Sequence, residues 1–251
     1  MLIVSKIIKI IKKRGIQYFI YLLIDRLSDF FLRNSFFLKY KFYRVLIINL
    51  FFFNSTVRDI SYLKKNLSNY RLKKRNLCIL DIGTNLGVIS TFFHDNFNCN
   101  IYAYEPNPYC YNYLKKNLKK YKNIIIYKKA ISKKNDNLKF YLGKDFNSNK
   151  KTSASSLDPN KENIDTNNYI VVETYSIYNL INKHKFIDIL KIDIEGEEYK
   201  IIIPILKNIH KIGVVICEFH RKSEYQKINY NRILKIINEN DKFKSKFVQW
   251  V

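Results

Sequence analysis

Between Asn76 and Ala130 the hydrophobic pattern switches repeatedly between strand-like and helix-like, and this limits the architectures open to the chain. "NLCILDIG" (76–83) is a nearly unbroken apolar run, the pattern of a strand buried on both faces. "VISTFFHDN" reads as a helix and "NIYAYEP" as a second strand. "NPYCYNYLKKNLKKY" has apolar residues at helical spacing with lysines on the opposite face, and "NIIIYKKA" is a third strand. Parallel strands need crossovers, usually helices, so the alternation predicts an α/β fold with a doubly wound parallel sheet. Further along, "FIDILKIDIEG" and "KIGVVICEFH" read as strands, "EYQKINYNRILKIINEND" as a helix and "KSKFVQWV" as a closing strand. Residues 143–168 are polar, with little that could build a core, and are expected to form a long loop. There is no internal repeat.

Residues 1–53 differ from the rest of the chain. They are rich in Ile, Leu and Phe interrupted by Lys and Arg, with no Pro and only Gly15. Ile7, Ile8 and Ile11, then Phe19, Leu22 and Leu23, fall on helical faces, which predicts two or three amphipathic helices. We divide the chain into this basic helical extension, 1–53, and a main domain, 54–251. Two roles stay open for the extension: packing on the main domain, or resting on an anionic membrane surface. "VLIINLFFF" (45–53) is too short to span a bilayer, and "MLIVSKIIKIIKKRG" lacks the unbroken apolar core of a secretory signal. A cytoplasmic protein is expected, peripheral at the inner membrane face if the helices bind lipid.

The formal net charge is +24, from 45 Lys plus Arg against 21 Asp plus Glu. A nucleic-acid partner is the first thought, but only nine of the basic residues are Arg, the side chain suited to bidentate base and phosphate contacts. Abundant Lys, Asn, Ile, Tyr and Phe fit the bias of an AT-rich genome, so nucleic acid is an unlikely partner and a small-molecule or glycan acceptor is expected. The oligomeric state is not legible. Cys78, Cys99, Cys110 and Cys217 form no metal-binding spacing and are expected as free thiols.

The chemistry-bearing residues gather where strands end. "LDIGTNLG" (80–87) links the first strand to its helix. A dinucleotide fingerprint needs glycines two and five positions after Gly83, where Asn85 and Val88 stand, so NAD and FAD are disfavoured. Gly83 still permits a tight turn and close approach to a ligand. Glu105 ends the second strand 22 residues after Gly83, near the offset at which an acid meets ribose hydroxyls. In "ILKIDIEGEE" (189–198), alternation places Lys191, Asp193 and Glu195 on one side, with the two acids at the carboxyl end, where α/β sheets bind ligands. Glu197 and Glu198 are expected to be helix-start residues, and Asp188 structural. Glu218 and His220 end the next strand, beside Asp193 and Glu195 if the strands are neighbours. His220 is the histidine best placed for proton transfer. These residues could also hold a hard divalent cation, but no metal is assigned.

Asp-x-Gly-x-Asn-x-Gly is similar to the first motif of S-adenosylmethionine-dependent methyltransferases. "LDIGTNLGVIS", "YEPNP", "SASSL" and "DILKIDIEGEE", in this order, resemble the FkbM methyltransferase family over roughly residues 57–220. The resemblance implies a class I methyltransferase (Rossmann-like) fold, S-adenosyl-L-methionine as donor, and O-methylation of a hydroxyl on a sugar, surface glycan or natural product. Asp81, Gly83, Asn85 and Gly87 would then hold the methionine end of the donor and Glu105 its ribose. Asp193, Glu195 and His220 would orient the acceptor or act as general base, and Ser155 falls where the family often has a serine. The fold normally ends in an antiparallel strand pair, so with the sequence closing at "FVQWV" a last strand is expected to be missing or supplied otherwise. The alternatives are a nucleic-acid methyltransferase, or a non-catalytic membrane-surface protein with a decayed methyltransferase domain.

Overall fold

The structure is a computed structural model that describes residues 62–63, 65–67, 70, 72, 76–144 and 155–250. The chain divides into two compact units, Met1–Leu67 and Ser68–Val251. The helices expected over 1–53 and the boundary at residue 54 lie outside the described residues. In the first unit, Tyr62, Leu63 and residues 65–67 are helical.

The second unit is built on six parallel strands. These are β1 (Leu77–Ile82), β2 (Cys99–Tyr104), β3 (Ile124–Tyr127), β7 (Ile187–Ile192), β8 (Ile212–Glu218) and β9 (Phe247–Trp250), in spatial order β3-β2-β1-β7-β8-β9. The order reverses at β1, which pairs with β2 on one side and β7 on the other, leaving a crevice at their carboxyl ends. Helices α1 (Val88–Asn96), α2 (Pro108–Asn117), α3 (Ile177–Lys183), α4 (Glu198–Lys207), α5 (Glu224–Asn238) and α6 (Asp241–Lys244) provide the connections. The core joins Leu80, Leu190 and Val215 of the sheet to Ile201, Ile202 and Ile205 of α4. Each side chain so buried contributes about 1.5–3 kcal/mol relative to exposure.

Local chemistry fixes where helices begin beside the crevice. Asn107 caps α2, its side chain accepting from the Tyr109 N–H, and Pro108 fills the first turn, where a missing N–H costs nothing. Ser223 and Gln226 cap α5 reciprocally.

Two features depart from expectation. A second sheet, of order β4-β6-β5, is formed by β4 (Ala130–Ser132), β5 (Asp136–Gly143) and β6 (Ile164–Ser176). The loop expected over 143–168 therefore ends earlier, since Ile164–Asn168 belong to β6. The polar residues Asp165–Asn168 lie on β6, in a sheet with a small apolar face packed around Ala130, Phe140, Leu142, Leu157 and Val172. The second departure is the sheet edge. β9 pairs in parallel with β8, burying Trp250, and among the described residues the main sheet contains no antiparallel strand. No described helix is long and apolar enough to cross a membrane.

Candidate active site

A cleft of about 640 Å³, open mouth included, lies at the switch point. Gly83 and Asn85 beyond β1, Glu105 beyond β2, and Asp193 and Glu195 beyond β7 line it. Phe140, Ser155 and Leu157 contribute from β5 and from the segment before β6, so the unforeseen second sheet walls the site.

At the first end Glu105 is buried and doubly held. Oε2 accepts from the Asn85 N–H at 2.7 Å and Oε1 from the Asn107 N–H at 2.8 Å. Burial pushes its carboxyl up to about 7, against the opposing pull of these amides and Lys191. Asn85 is left-handed at φ 52°, a conformation uncommon outside glycine and enriched in Asn. Gly83 has φ 76°, and a Cβ there would lie 1.7 Å from the Asp193 carbonyl oxygen. The first loop thus rests against the β7 exit, and the Asp193 N–H donates to Ile82 O at 3.0 Å.

Asp81 and Gly87 fall elsewhere. Asp81 is fully buried beneath the cleft rather than facing into it; Oδ2 accepts from Ser90 Oγ at 2.6 Å and Oδ1 lies 3.2 Å from Lys191 Nζ. Gly87 caps α1 at φ 81°, and a Cβ there would press on Leu114 and Leu118 of α2, so a glycine here lets α1 and α2 pack closely.

The second end is a charged cluster. Lys191, buried on β7, donates to Gly83 O at 2.6 Å and stands 3.7 Å from Asp193 Oδ2, linking the two ends. Glu195 is left-handed at φ 59°, and its Oε2 lies 2.5 Å from Lys161 Nζ and 3.0 Å from His220 Nε2. Glu198, fully buried, accepts from the His220 N–H at 2.8 Å and the Gly196 N–H at 2.7 Å, and lies 3.1 Å from His220 Nδ1. The two acids next to each other are driven apart. Burial, aided by Glu195, raises Asp193 above the usual carboxylate range, although Lys191 and His220 oppose it. Burial also works against ionising Glu195, but His220 and Lys161 overcome it and bring the carboxyl down to about 2. For His220, burial is outweighed by hydrogen bonds to Glu195 and Glu198, which push it up to about 11. Each ring nitrogen faces a carboxylate, Nε2 that of Glu195 and Nδ1 that of Glu198, an arrangement that favours the imidazolium.

One side-chain atom from each of Asp193, Glu195 and His220 lies within 4.8 Å of the others, close enough to share a cation. Lys161 and His220 already converge on Glu195 Oε2, however, so the protein's own cations balance much of this charge.

A family model of the methyltransferase FkbM domain matches residues 81–243, a span that contains both ends of the cleft. The chain belongs to the FkbM methyltransferase family. No curated protein and no solved structure matches it.

Within this FkbM domain, sequence reasoning missed Lys161, Lys191, Asn107 and Glu198 as partners of the site residues. Asn107 had a signal, its position before Pro108 at a helix start. Glu198 was expected at a helix start, and it is the first residue of α4, but its side chain turns toward His220. Glu197 likewise is buried, accepting from Ser132 Oγ at 2.6 Å and pairing with Lys200 at 2.8 Å. Asp188, expected to be structural, accepts from the Cys78 N–H at 2.9 Å at the opposite end of the sheet.

His220 gives a stability prediction. Its folded-state pKa of about 11 lies above the ordinary 6.5, so its contribution is fully present below pH 6.5 and is lost as pH rises through 11. Wild-type protein should lose on the order of a few kcal/mol across that window, and His220→Gln should show a flatter profile. Urea melts at neutral and alkaline pH measure it; parallel profiles for the two proteins would contradict the assignment.

Proposed function

We propose that the protein is an S-adenosylmethionine-dependent O-methyltransferase acting on a hydroxyl of a sugar, surface glycan or natural product. One observation carries the reading: two neighbouring carboxylates, Asp193 raised and Glu195 lowered in proton affinity, face one end of a cleft whose other end has Glu105 beside the Gly83 turn. Environments that separate paired acids separate their roles.

The residues at the first end fit the donor. Gly83 and Asn85 line the cleft with main chain, Glu105 keeps a held carboxylate at the wall for ribose hydroxyls, and the buried Ser155 Oγ lacks a hydrogen-bond partner in the cleft wall. When bound there, the donor supplies a methyl group on a positive sulfur, open to in-line attack by an oxygen. Asp193, with raised proton affinity, accepts the acceptor hydroxyl's proton as the oxygen–methyl bond forms and the sulfur–methyl bond breaks. Glu195 stays ionised and accepts a hydrogen bond that orients the acceptor. His220, as an imidazolium, holds Glu195 in place. Of the three candidates, the base role therefore falls to Asp193. Carboxylates at the acceptor end disfavour a phosphodiester, which counts against a nucleic-acid acceptor.

Calorimetry with S-adenosylhomocysteine tests the donor half. Binding is expected to need the ionised Glu105, so affinity should rise as pH increases through about 7. Glu105→Ala should weaken it roughly 10- to 150-fold, the loss of a charge-assisted hydrogen bond. Unchanged affinity in the variant, or tight NAD binding by the wild type, would overturn the donor assignment.

A further inference from the structure

The segment before β6 does more than close the cleft. The Ser156 hydroxyl donates to the Glu195 carbonyl at 2.7 Å and takes the Asp158 N–H at 2.9 Å. Asp158 in turn caps the Asn160 N–H at 2.9 Å and lies 3.4 Å from Gln226 Nε2 at the start of α5. This strap ends at Lys161, whose side chain is only 5% exposed and whose Nζ lies 2.5 Å from Glu195 Oε2. A lysine is seldom buried unless a charge partner repays its desolvation. Here the partner is a left-handed residue at the cleft, held through both its carbonyl and its carboxylate by one strap.

We propose that Lys161 is a positioning residue of the acceptor site, fixing Glu195 so that Oε2 is occupied and Oε1 is the oxygen offered to an acceptor hydroxyl. This rests on the methyltransferase reading and deepens it. Asp193 removes one proton, while Glu195, pinned by Lys161 and His220, receives a hydrogen bond it cannot convert into proton transfer. The site then suits a neutral polyol, whose adjacent hydroxyls can meet the two acids together, since Asp193 and Glu195 both line the cleft. Glu195 is faced by Lys161 from the strap, His220 from beyond β8 and Asp193 from its own segment, with Glu198 acting through His220.

The test uses the full chain with carboxyl-carbon-13 glutamate, following the Glu195 resonance by NMR as pH is lowered from neutral. In the wild type Glu195 should remain ionised well below the ordinary carboxylate range. Lys161→Met should raise its titration midpoint by at least about one pH unit, and Lys161→Arg should restore most of the shift. S-Adenosylhomocysteine affinity should stay within about twofold in both variants, because Lys161 is not among the residues lining the cleft. An unchanged Glu195 midpoint in Lys161→Met, or failure of the arginine to restore it, overturns the proposal. If the methionine variant does not fold, the wild-type titration decides: an ordinary midpoint for Glu195 removes the coupling. Absence of S-adenosylhomocysteine binding by the wild type would instead strike the donor assignment, leaving the Lys161–Glu195 coupling to be read on its own.

Discussion

Asp193→Asn should leave fold and donor affinity largely intact while reducing methyl transfer at least about 10²-fold, the low end for a lost acid–base group. The amide keeps the shape of the side chain beside Lys191 but cannot take a proton. Glu195→Gln should lose a similar factor for another reason, since it no longer pairs with Lys161 and His220. The control belongs on a solvated acid such as Glu224, whose side chain is 78% exposed. Glu198 cannot serve, although a helix-start position suggests a mild effect: its carboxylate meets His220 and Gly196, and removing one partner of a buried pair costs about 3–5 kcal/mol. Transfer of labelled methyl groups into the glycan of cells producing each variant gives the readout. Equal losses at Asp193, Glu195 and Glu224, or an Asp193→Asn protein that melts at the assay temperature, would remove the base assignment.

Gly83→Ala should be the most damaging single-methyl change at the cleft. The new Cβ would meet a main-chain oxygen, Asp193 O, rather than a side chain able to swing away. Its φ of 76° adds the left-handed penalty, about 1–2 kcal/mol, to about 1–3 kcal/mol for overpacking. The clash also pushes apart the loop carrying Asn85 and the exit of β7, both of which line the cleft. Urea melts should show a loss of roughly 2–5 kcal/mol, and S-adenosylhomocysteine affinity should fall about 10²-fold or more. A variant with wild-type melting and binding would show that the contact between β1 and β7 is not needed.

The main sheet was legible in the order of residues. Apolar runs such as Leu77–Ile82 and Ile187–Ile192 are long enough to be buried strands, and the lysine-faced helix at Pro108–Asn117 forces a crossover between parallel neighbours. Gly83, Glu105, Asp193 and Glu195 were likewise placed correctly at strand ends, because period-two alternation and the polarity of a parallel sheet leave those positions nowhere else to go. The second sheet was not legible, since its strands bury only a small apolar face and carry polar residues like those of a loop. Direction and partnership were hidden too. Asp81 points below the cleft because Lys191 and Ser90 meet it there, and Glu198 leaves its helix start to hold His220. Lys161 reaches Glu195 across 34 positions of chain, and Lys191 reaches Gly83 across 108. Local pattern encodes which residues lie at a strand's end. Proton affinity depends on which charges stand within a few ångströms after folding, so the lowered proton affinity of Glu195 and the raised proton affinities of Asp193 and His220 are products of the folded arrangement.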